Sequence, residues 1–538
     1  MSKTVGPSAS NSGQSLYTRQ ATGFVREISP SASIALNVSF VSIPLAVLVA
    51  TEAPFAFPGA DPFWVTVFCA ILCIFPIFLY GLFMAIMPRS GGDYVFVSRT
   101  IYPWLGFAAN FNITAWYLLV IAYFGYLLSS FGFSSAFSTI GVATNNATLN
   151  KWAATIATKN WGFAIGAIAL ILTFVLMSLN LRLALKIFQG LFAVSLIGIV
   201  VSIVLLVIHG RSDFVGDVAR FGGNYNKIIA DAHKAGYAGS AHFSFSNTIL
   251  AMPLAFASFG YAIVTSYAGG EVRSPRKQGL RAMLYSLGLA ALVVAILMAL
   301  SNRTFGNDFM GSVTYLSNNG LKSYPFVAPA FFFFFVSMLT KSSILIAIIS
   351  ISFIAAFVAA LPATFIIATR NLFAWSFDRI LPEKLNSVNP RTRSPLVANV
   401  VVLVVTLIYL ALIVYGSSTF LEIFFTAGLA ELLTFMVVAI TGMVFPFRRK
   451  AMYDSSPIKQ SIGGIPVISI FGLLSLGVYI LFFYPLATNN ALGANTTKGI
   501  WATVIIALIG IILYPISYLV NRSRGVDLGL AFRELPPE

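Results

Sequence analysis

One acidic residue stands out chemically because it lies in the middle of a long apolar run: Glu431, in the stretch 428–433 (GLAELL). An ionisable group at the centre of a membrane span costs about 3 kcal/mol, so it is a functional candidate by default. It can carry a proton or contact a cationic group; the structural alternative is a protonated carboxyl that hydrogen-bonds between helices. Glu52 and Glu271 lie near the ends of apolar runs, where we expect them to reach the interface.

The residue types that usually build catalytic or metal centres do not form such a pattern here. The two cysteines, Cys69 and Cys73, share one apolar run. The three histidines, His209, His233 and His242, lie in or beside one loop without Cys or Glu at ligand spacing. Membrane enzymes usually gather His, Asp or Glu at the membrane surface. We therefore expect no enzyme activity, no bound metal and no cofactor.

The composition indicates a membrane protein. The chain has 538 residues, of which 58% are hydrophobic and 9% are charged, whereas soluble domains carry about 25% charged residues. A soluble or disordered chain is therefore excluded. The net charge of +16 would suggest a nucleic-acid partner in a soluble protein, but basic loops on one membrane face explain it better. We expect the partners to be the lipid bilayer and a small molecule, with no nucleic acid.

Apolar runs long enough to cross a bilayer, which takes about 20 residues, occur twelve times. These predicted spans are 32–56, 63–87, 104–131, 161–180, 187–209, 246–270, 282–301, 342–369, 395–416, 419–446, 466–487 and 499–520. A shorter run, 326–339, contains Pro329, so we predict a re-entrant or interfacial segment there. Its five consecutive phenylalanines, 331–335, are interpreted as a lid over the outer vestibule.

The distribution of positive charge predicts the orientation. With twelve spans and both termini on one face, 23 of the 33 Lys and Arg residues lie on that face and 10 on the other. The termini are therefore predicted to be cytoplasmic, in a multi-pass protein of the plasma membrane. The predicted segments are a cytoplasmic tail (1–28), helices 1–5 (29–209), an extracellular loop (210–245), helices 6–10 (246–446), helices 11–12 (447–520) and a second cytoplasmic tail (521–538).

The first and sixth predicted spans each contain a helix-breaking stretch. Residues 37–44 (NVSFVSIP) place hydroxyls and a proline at mid-span, and Pro44 removes one backbone donor. Residues 258–261 (SFGY) lie inside the sixth span, where Gly260 permits an unwound turn. Carriers often bind substrate where a broken helix exposes its backbone groups. Equivalent positions in two groups of five helices favour an inverted repeat, and simple kinks are the structural alternative.

Three stretches resemble the amino acid–polyamine–organocation permeases. Residues 88–94 (PRSGGDY) look like the P-x-x-GG-x-Y signature after helix 2. Residues 256–275, with FASFGY followed by GEVRSP, are similar to the helix 6 pattern of that family. Arg370 and then 378–382 (DRILP) resemble the R … D-x-x-L-P loop after helix 8. The order of the three motifs along the chain matches the family from helix 1 to helix 10.

The resemblance implies an all-α polytopic membrane fold with 12 transmembrane helices. These would form a leucine-transporter-type five-plus-five inverted repeat followed by two C-terminal helices. The family holds a substrate carboxylate with amides at the helix 1 break and an ammonium with carbonyls at the helix 6 break. This chain departs from the family at 43–45 (IPL), where Gly-Ser/Ala-Gly is usual, and at 270–271 (GE), where an acidic pair is usual.

The residues implied at the substrate site follow from that correspondence. Phe259 or Tyr261 would act as an aromatic gate over the substrate. The full predicted set comprises Ser39, Ser42, Ile43, Pro44, Phe256, Ala257, Ser258, Phe259, Gly260 and Tyr261.

The coupling ion is expected to be H⁺ or Na⁺. Glu431 is the proton candidate. Ser195 stands where some family members place a lysine in helix 5, and Ser350 and Ser352 in helix 8 are candidate sodium ligands. The structural alternative is that these serines donate to a backbone carbonyl one turn back.

The sequence therefore predicts a secondary active transporter that moves amino acids by alternating access, with a proton as the favoured coupling ion. The alternatives are a carrier of the same fold for polyamines or nucleobases, an amino acid exchanger and, least in keeping with the residues, a polytopic membrane enzyme. A polyamine would require several acidic residues in the pocket, and Glu431 is the one in evidence. The particular amino acid and the oligomeric state stay open at this point.

Overall fold

The computed structural model describes residues 26–179, 181–326, 328–389, 392, 394–416 and 419–532. Most of the predicted N-terminal tail and the last residues of the predicted C-terminal tail, 533–538, lie outside the described residues. The described chain is helical almost throughout, apart from one short hairpin.

Residues 30–234 form the first twelve helices. They are α1 (Pro30–Val41), α2 (Ile43–Thr51), α3 (Ala53–Ala56), α4 (Pro62–Ile86), α5 (Asp93–Thr100), α6 (Pro103–Leu127), α7 (Ser135–Ala143), α8 (Ala147–Ile156), α9 (Lys159–Leu179), α10 (Leu181–Ile208), α11 (Arg211–Arg220) and α12 (Tyr225–Lys234). A π-helical turn, Leu128–Ser134, joins α6 to α7.

Residues 245–531 form the remaining helices and the hairpin. The helices are α13 (Phe245–Leu250), α14 (Met252–Phe259), α15 (Pro275–Thr304), α16 (Asn307–Asn318), α17 (Phe332–Met338), α18 (Ser343–Phe377), α19 (Leu396–Tyr415), α20 (Thr419–Arg448), α21 (Lys450–Asp454), α22 (Val467–Thr488), α23 (Thr497–Ser523) and α24 (Leu528–Ala531). The strands β1 (Ser461–Ile462) and β2 (Ile465–Pro466) pair in antiparallel fashion.

Helix starts follow from local chemistry. Pro62 opens α4, and the Asp61 carboxylate before it accepts from the Phe63 N–H at 2.9 Å. Proline at the first helical position loses no hydrogen bond, and an aspartate N-cap satisfies amides that the helix cannot. Pro103 and Pro275 open α6 and α15 in the same way.

Eleven helical spans in the described chain are long and apolar enough to cross a membrane. They are formed by α1–α3, α4, α6–α7, α9, α10, α15, α18, α19, α20, α22 and α23. The predicted sixth span, 246–270, corresponds to a shorter apolar segment, Phe245–Phe259. The chain is thus an all-α polytopic membrane protein, as predicted, and the count of twelve spans stays a prediction.

Burial places the first span at the centre of the bundle. In the most apolar window of the Pro30–Ala56 span, 78% of residues are buried inside the protein, against 11% for Thr497–Ser523. A span that is buried all round faces other helices, whereas a largely exposed apolar span faces lipid. The broken first helix is therefore surrounded by protein.

One predicted span, the third, differs from the structure in length. The third span was expected to end near 131, but the helix continues through the π-helical turn to Ala143. The hydroxyls of its polar stretch bond backbone carbonyls: Thr139 donates to Ser135 O within the helix at 2.8 Å, and Ser134 donates to Ala153 O of α8 at 2.8 Å. The run 326–339 contains the short helix α17 and does not span, and phenylalanines 331–335 are all buried. Their role as a lid stays a prediction.

Candidate functional site at the two broken helices

The first span is broken at Ser42, between α1 and α2. Ser42 has a left-handed backbone, with φ 48° and ψ 84°, a conformation that glycine adopts easily and other residues rarely. Its N–H donates to Val38 O at 2.9 Å, and its C=O accepts from the Ala46 N–H at 2.9 Å. Pro44 in the first turn of α2 has no N–H to donate. The helix ends therefore present backbone carbonyls and amides at mid-span.

The sixth span is broken after Phe259, where α14 ends. The chain continues through turns and a 3₁₀ helix, Val264–Ser266, and no longer follows a regular α-helix up to 270. A Cβ placed on Gly260 would lie 2.4 Å from a ring carbon of Phe256. That contact is far shorter than a van der Waals contact, so the approach of the Phe256 ring to the backbone requires glycine. Both interruptions occur within the stretches that the sequence predicted.

The two breaks face each other. The Thr265 N–H, beyond the second break, donates to Asn37 Oδ1 in α1 at 3.1 Å. The ring centroids of Phe40 and Tyr261 are 5.0 Å apart. Tyr117 of α6 lies 6.1 Å from each of these two rings. The predicted substrate site is therefore bounded by aromatic rings from three different elements.

Buried polar atoms at the breaks have no hydrogen-bond partner among the described residues. They are Ser39 Oγ, Ser42 Oγ, Ser258 Oγ, Thr265 Oγ1 and Asn37 Nδ2. A buried polar group without a partner costs about 1–3 kcal/mol, and such groups in native proteins call for a ligand, water or functional explanation. Their concentration at the two breaks suits a small polar ligand.

The predicted substrate-site residues are not equally well placed. Ile43 and Pro44 are buried at the start of α2, and Phe256 and Phe259 are buried in α14. Ala257 has an exposed side chain, so it can contribute to the site through its backbone carbonyl alone.

The two candidate aromatic gates differ in their surroundings. Tyr261 is partly buried and contacts the Phe435 ring of α20, with centroids 6.4 Å apart, as well as Phe40 and Tyr117. Phe259 is fully buried. Because an aromatic gate must cover the space between the broken helices, Tyr261 is the better placed of the two.

Glu431 lies in α20 at the interface with α6. It is 2% exposed, and its Oε1 has no hydrogen-bond partner within the described chain. The neighbouring contacts belong to other residues: Asn112 Nδ2 donates to Ala430 O at 2.9 Å, and Thr434 Oγ1 donates to Ala109 O at 2.9 Å. The two helices are therefore joined without the Glu431 carboxyl, which is available for another role.

Two of the three serine candidates for coupling, Ser195 and Ser352, lie where α10 and α18 meet. Ser352 Oγ donates to Val194 O at 2.8 Å, and Ser195 Oγ donates to Phe192 O at 2.7 Å. Ser350 is partly buried beside Phe131 and Gly132. Ser195 thus uses its hydroxyl within its own helix, as the structural alternative expects, and Ser352 binds a carbonyl of the neighbouring helix.

Two tyrosine hydroxyl groups connect the predicted substrate site to a buried carboxylate, that of Asp93, which the sequence analysis did not select. Tyr267 O–H donates to Asp93 Oδ2 at 2.7 Å, and the Tyr117 and Tyr267 hydroxyls are 3.5 Å apart. Asp93 is fully buried at the start of α5. Burial raises the pKa of Asp93 to about 6, although the hydrogen bond from Tyr267 lowers it.

The pKa of Asp93 gives a testable pH dependence. A free aspartate titrates near 4, so the folded protein binds this proton more tightly than the unfolded chain. The stability due to Asp93 is therefore present below about pH 4 and lost as pH rises through about 6. The stability that is lost over this pH range is about 3 kcal/mol. The melting temperatures of the wild type and of Asp93→Asn, measured from acidic to neutral pH, should diverge. The variant should become more stable relative to the wild type as pH rises.

The exposed Asp454→Asn in α21 is the control for the charge change. Its melting curve should run parallel to that of the wild type. Parallel curves for Asp93→Asn as well would mean that Asp93 does not titrate in the folded protein.

Two buried ion pairs lie at one end of the bundle. We name this end the Asp378 face and define it by three residues at helix ends, Ile86, Pro275 and Asp378. Arg99 Nη1 is 2.6 Å from Asp378 Oδ2, and both side chains are almost fully buried. The Tyr94 O–H donates to the same carboxylate at 2.5 Å. These contacts connect α5 to the end of α18.

The second pair corrects a sequence prediction. Glu271 does not reach the interface: it is 1% exposed and binds Arg370 of α18 through two hydrogen bonds, of 2.7 and 2.8 Å. Beside it, the Ile28 N–H donates to Glu271 O at 2.9 Å and the Arg273 N–H to Ile28 O at 3.1 Å. The segments before the first span and after the second break are thus bound together at this face.

The left-handed residue at the first break supplies a second prediction. Ser42→Gly is expected to keep or slightly raise stability, because glycine adopts φ 48° without strain. Ser42→Val is expected to lose about 1–3 kcal/mol, because a β-branched residue is strained in that region. Both variants lack the hydroxyl, so the difference between their unfolding free energies does not depend on its loss. Equal stability of the two variants would contradict a strained break at Ser42.

Residues near the candidate site that the sequence prediction did not include are, among others, Asp93, Tyr267 and Phe435. Asp93 lies inside the motif at 88–94 and is an acidic residue next to a glycine pair, a signal that was available. Tyr267 and Phe435 have no such signal, because a tyrosine or phenylalanine in an apolar segment is ordinary.

Comparison with protein families gives one match. The family model described as amino acid permease matches residues 28–514. The search of curated proteins found no match.

Proposed function

Since the chain belongs to the amino acid permease family, we propose that this membrane transporter moves amino acids across the cell membrane by alternating access, coupled to protons. The match covers both broken helices and the residues at the Asp378 face. The observation that supports the substrate most directly is the pair of breaks that face each other at mid-span.

The chemistry of the breaks suits a zwitterion. The N-terminus of α2 carries the positive end of a helix dipole, and the C-terminal end of α14 carries the negative end of another. A carboxylate near Ile43 and an ammonium near Ser258 would each meet backbone groups of the favourable sign. The unpartnered hydroxyls of Ser39, Ser42 and Ser258 supply further hydrogen bonds. An amino acid carries both charged groups on one carbon and can bridge the two breaks.

Two buried carboxyl groups support proton coupling. Glu431 has one oxygen without a partner in the described structure, and an ionisable group at the middle of an apolar span is a candidate for carrying a proton. Tyr117 and Tyr267 lie between this region and Asp93. A proton bound near the substrate would therefore have hydroxyl groups leading toward the Asp378 face.

The orientation is part of the proposal. Of the 33 Lys and Arg residues, 23 lie on the face of the termini in a twelve-span arrangement, which favours cytoplasmic termini. The chain reaches the Asp378 face after even-numbered spans, so this face is the one that carries the termini. The Asp378 face would then be cytoplasmic, and loop 210–245 extracellular. The plasma membrane is the proposed location, since the proposed function is uptake into the cell.

The experiment that tests the proposal is uptake by the purified full-length protein in liposomes. A pool of labelled amino acids is offered under an inward proton gradient, an inward sodium gradient and no gradient. Accumulation under the proton gradient alone is the expected result. Accumulation under the sodium gradient would indicate sodium coupling, and Ser352 and its neighbours would be the next residues to replace. Uptake only against preloaded substrate would indicate an exchanger. Absence of uptake across the pool would contradict the amino acid assignment and favour polyamines or nucleobases.

A glycine pair tests whether the second break carries the transport step. Gly260→Ala should lower the uptake rate at least tenfold, because its Cβ would lie 2.4 Å from the Phe256 ring and such overpacking costs about 1–3 kcal/mol. Gly288→Ala is the matched control, since no atom of the described residues lies within 4 Å of a Cβ there. Initial uptake rates are compared at equal amounts of folded protein. Normal uptake by Gly260→Ala would exclude a tight break at this position.

A further inference from the structure

A cavity of about 460 Å³ opens at the Asp378 face, away from the two breaks. Its lining comes from three parts of the chain: the segment before α1, the loop after α4, and the segment that leads into α15. The residues are Arg26, Ile86, Pro88, Arg89, Arg273, Ser274, Pro275, Arg276 and Lys277.

The charge of the cavity is strongly one-sided. Five of the lining residues are Lys or Arg, and none of the nine, all within the described chain, is acidic. Glu27, next to Arg26 in the sequence, reduces the local excess by one charge and leaves four. Arginine side chains are well suited to bind phosphate, because the guanidinium presents paired donors at the spacing of phosphate oxygens.

The start of α15 adds to the preference for an anion. Pro275 occupies the first helical position and Ser274 makes no side-chain cap, so the N-terminal end of a 30-residue helix opens at the cavity without a capping side chain. The positive end of the helix dipole favours a negative ligand there. The cations and the helix end therefore point to one chemical class of ligand, a phosphate group.

The position of the cavity favours a lipid as the source of that phosphate. It lies where α4 ends, at Ile86, and where α15 begins, at Pro275. These two helix ends are at the level of lipid headgroups. Farther along α15, Tyr285 and Leu292 are 65% and 61% exposed, so the same helix presents apolar side chains to acyl chains. An excess of four positive charges suits a headgroup with more than one negative charge.

We propose that this cavity binds the phosphorylated headgroup of an anionic membrane lipid. The ligand would bridge the segment before the first span, the loop after α4 and the segment that follows the second break. Because the Ile28 N–H already bonds Glu271 O, a headgroup held between Arg26 and Arg273 would strengthen the connection between these two segments. The inference requires the membrane fold but not the proposed amino acid substrate.

The test is lipid retention by the full-length protein in nanodiscs. The discs contain phosphatidylcholine with a minor fraction of phosphatidylinositol phosphate, and native mass spectrometry counts the retained lipid. The wild type should retain the anionic lipid, and Arg276→Gln with Lys277→Gln should bind it roughly 10- to 30-fold more weakly. Both residues are exposed, so the double variant should keep the wild-type melting temperature in discs of phosphatidylcholine alone, which is measured alongside.

The matched control is Lys450→Gln with Lys459→Gln, which removes the same charge from exposed residues that do not line the cavity. This control should retain lipid like the wild type. Equal weakening in both double variants would overturn the proposal, because it would mean non-specific attraction to a basic surface. Soluble inositol phosphate that competes as well as the lipid would also overturn it, since the site would then bind free phosphate. Transport assays are not used, so failure here leaves the proposed transport function untouched.

Discussion

Replacement of Glu431 by glutamine is expected to abolish proton-driven accumulation of substrate while counterflow exchange continues. Glutamine has nearly the same shape as a protonated glutamic acid but cannot release a proton. The carboxyl is 2% exposed and its Oε1 has no partner within the described structure. Removal of its charge therefore breaks no ion pair and should not unfold the protein. Substrate should equilibrate across the membrane but no longer concentrate against its gradient.

The measurement compares two assays on the same proteoliposomes. One follows accumulation under an inward proton gradient, and the other follows exchange of labelled substrate against preloaded substrate without a gradient. The matched control is Glu52→Gln. Glu52 also lies in an apolar span, but its side chain is partly exposed and its Oε2 accepts a hydrogen bond from Asn318 Nδ2 at 3.1 Å. The control should accumulate substrate normally.

Two results would contradict the role of Glu431 in coupling. Equal loss of accumulation and exchange would indicate that Glu431 holds the substrate or the fold. Unchanged accumulation would mean that another group carries the proton, and Asp93, which Tyr267 connects to the same region, would be the next residue to replace.

Loss of one partner of the Glu271–Arg370 pair is expected to destabilise the protein by about 3–5 kcal/mol. Both side chains are at most 3% exposed and are joined by two hydrogen bonds. Arg370→Met leaves the Glu271 carboxylate without its bidentate partner in a buried position, and such a charge cannot be rehydrated there. The free energy of unfolding in mixed micelles, followed by tryptophan fluorescence, measures the loss.

The same experiment separates the cost of a broken pair from the value of the pair. Arg370→Met combined with Glu271→Leu should recover most of the stability, because apolar residues can replace a buried ion pair with little loss. The control is Glu383→Gln, which removes the partner of Arg379 in a pair whose side chains are 31% and 65% exposed. Exposed pairs contribute about 0–1 kcal/mol. A loss of that size for Arg370→Met would mean that the Glu271–Arg370 pair is not closed in solution.

The proposed lipid site and the Glu271–Arg370 pair act on the same segment. Arg273 lines the basic cavity, and Glu271 lies two residues before it. A headgroup in the cavity would hold this segment from the membrane side, while Arg370 holds it from within the bundle. We therefore expect anionic lipid to raise the melting temperature of the wild type more than that of the double variant at Arg276 and Lys277.

Local rules were sufficient for the membrane class and for both breaks. Apolar runs of sufficient length identified the spans, because every backbone group inside a bilayer must be bonded within its own helix. Pro44 and Gly260 revealed the interruptions because the effect of proline and glycine on the backbone acts within one turn. The break at Ser42 without a glycine is a finding of the structure, since nothing in the residue type favours a left-handed serine.

The sequence by itself therefore predicted the membrane class, most of the spans, the two interrupted helices and the buried position of Glu431, all of which depend on residues close together in the chain. The tertiary structure decided which groups meet: Arg99 with Asp378, Glu271 with Arg370, Tyr267 with Asp93, and the cations around the basic cavity. The physical reason is that a charge or hydroxyl inside a membrane must find a partner, but helix packing selects it from residues far apart in the chain.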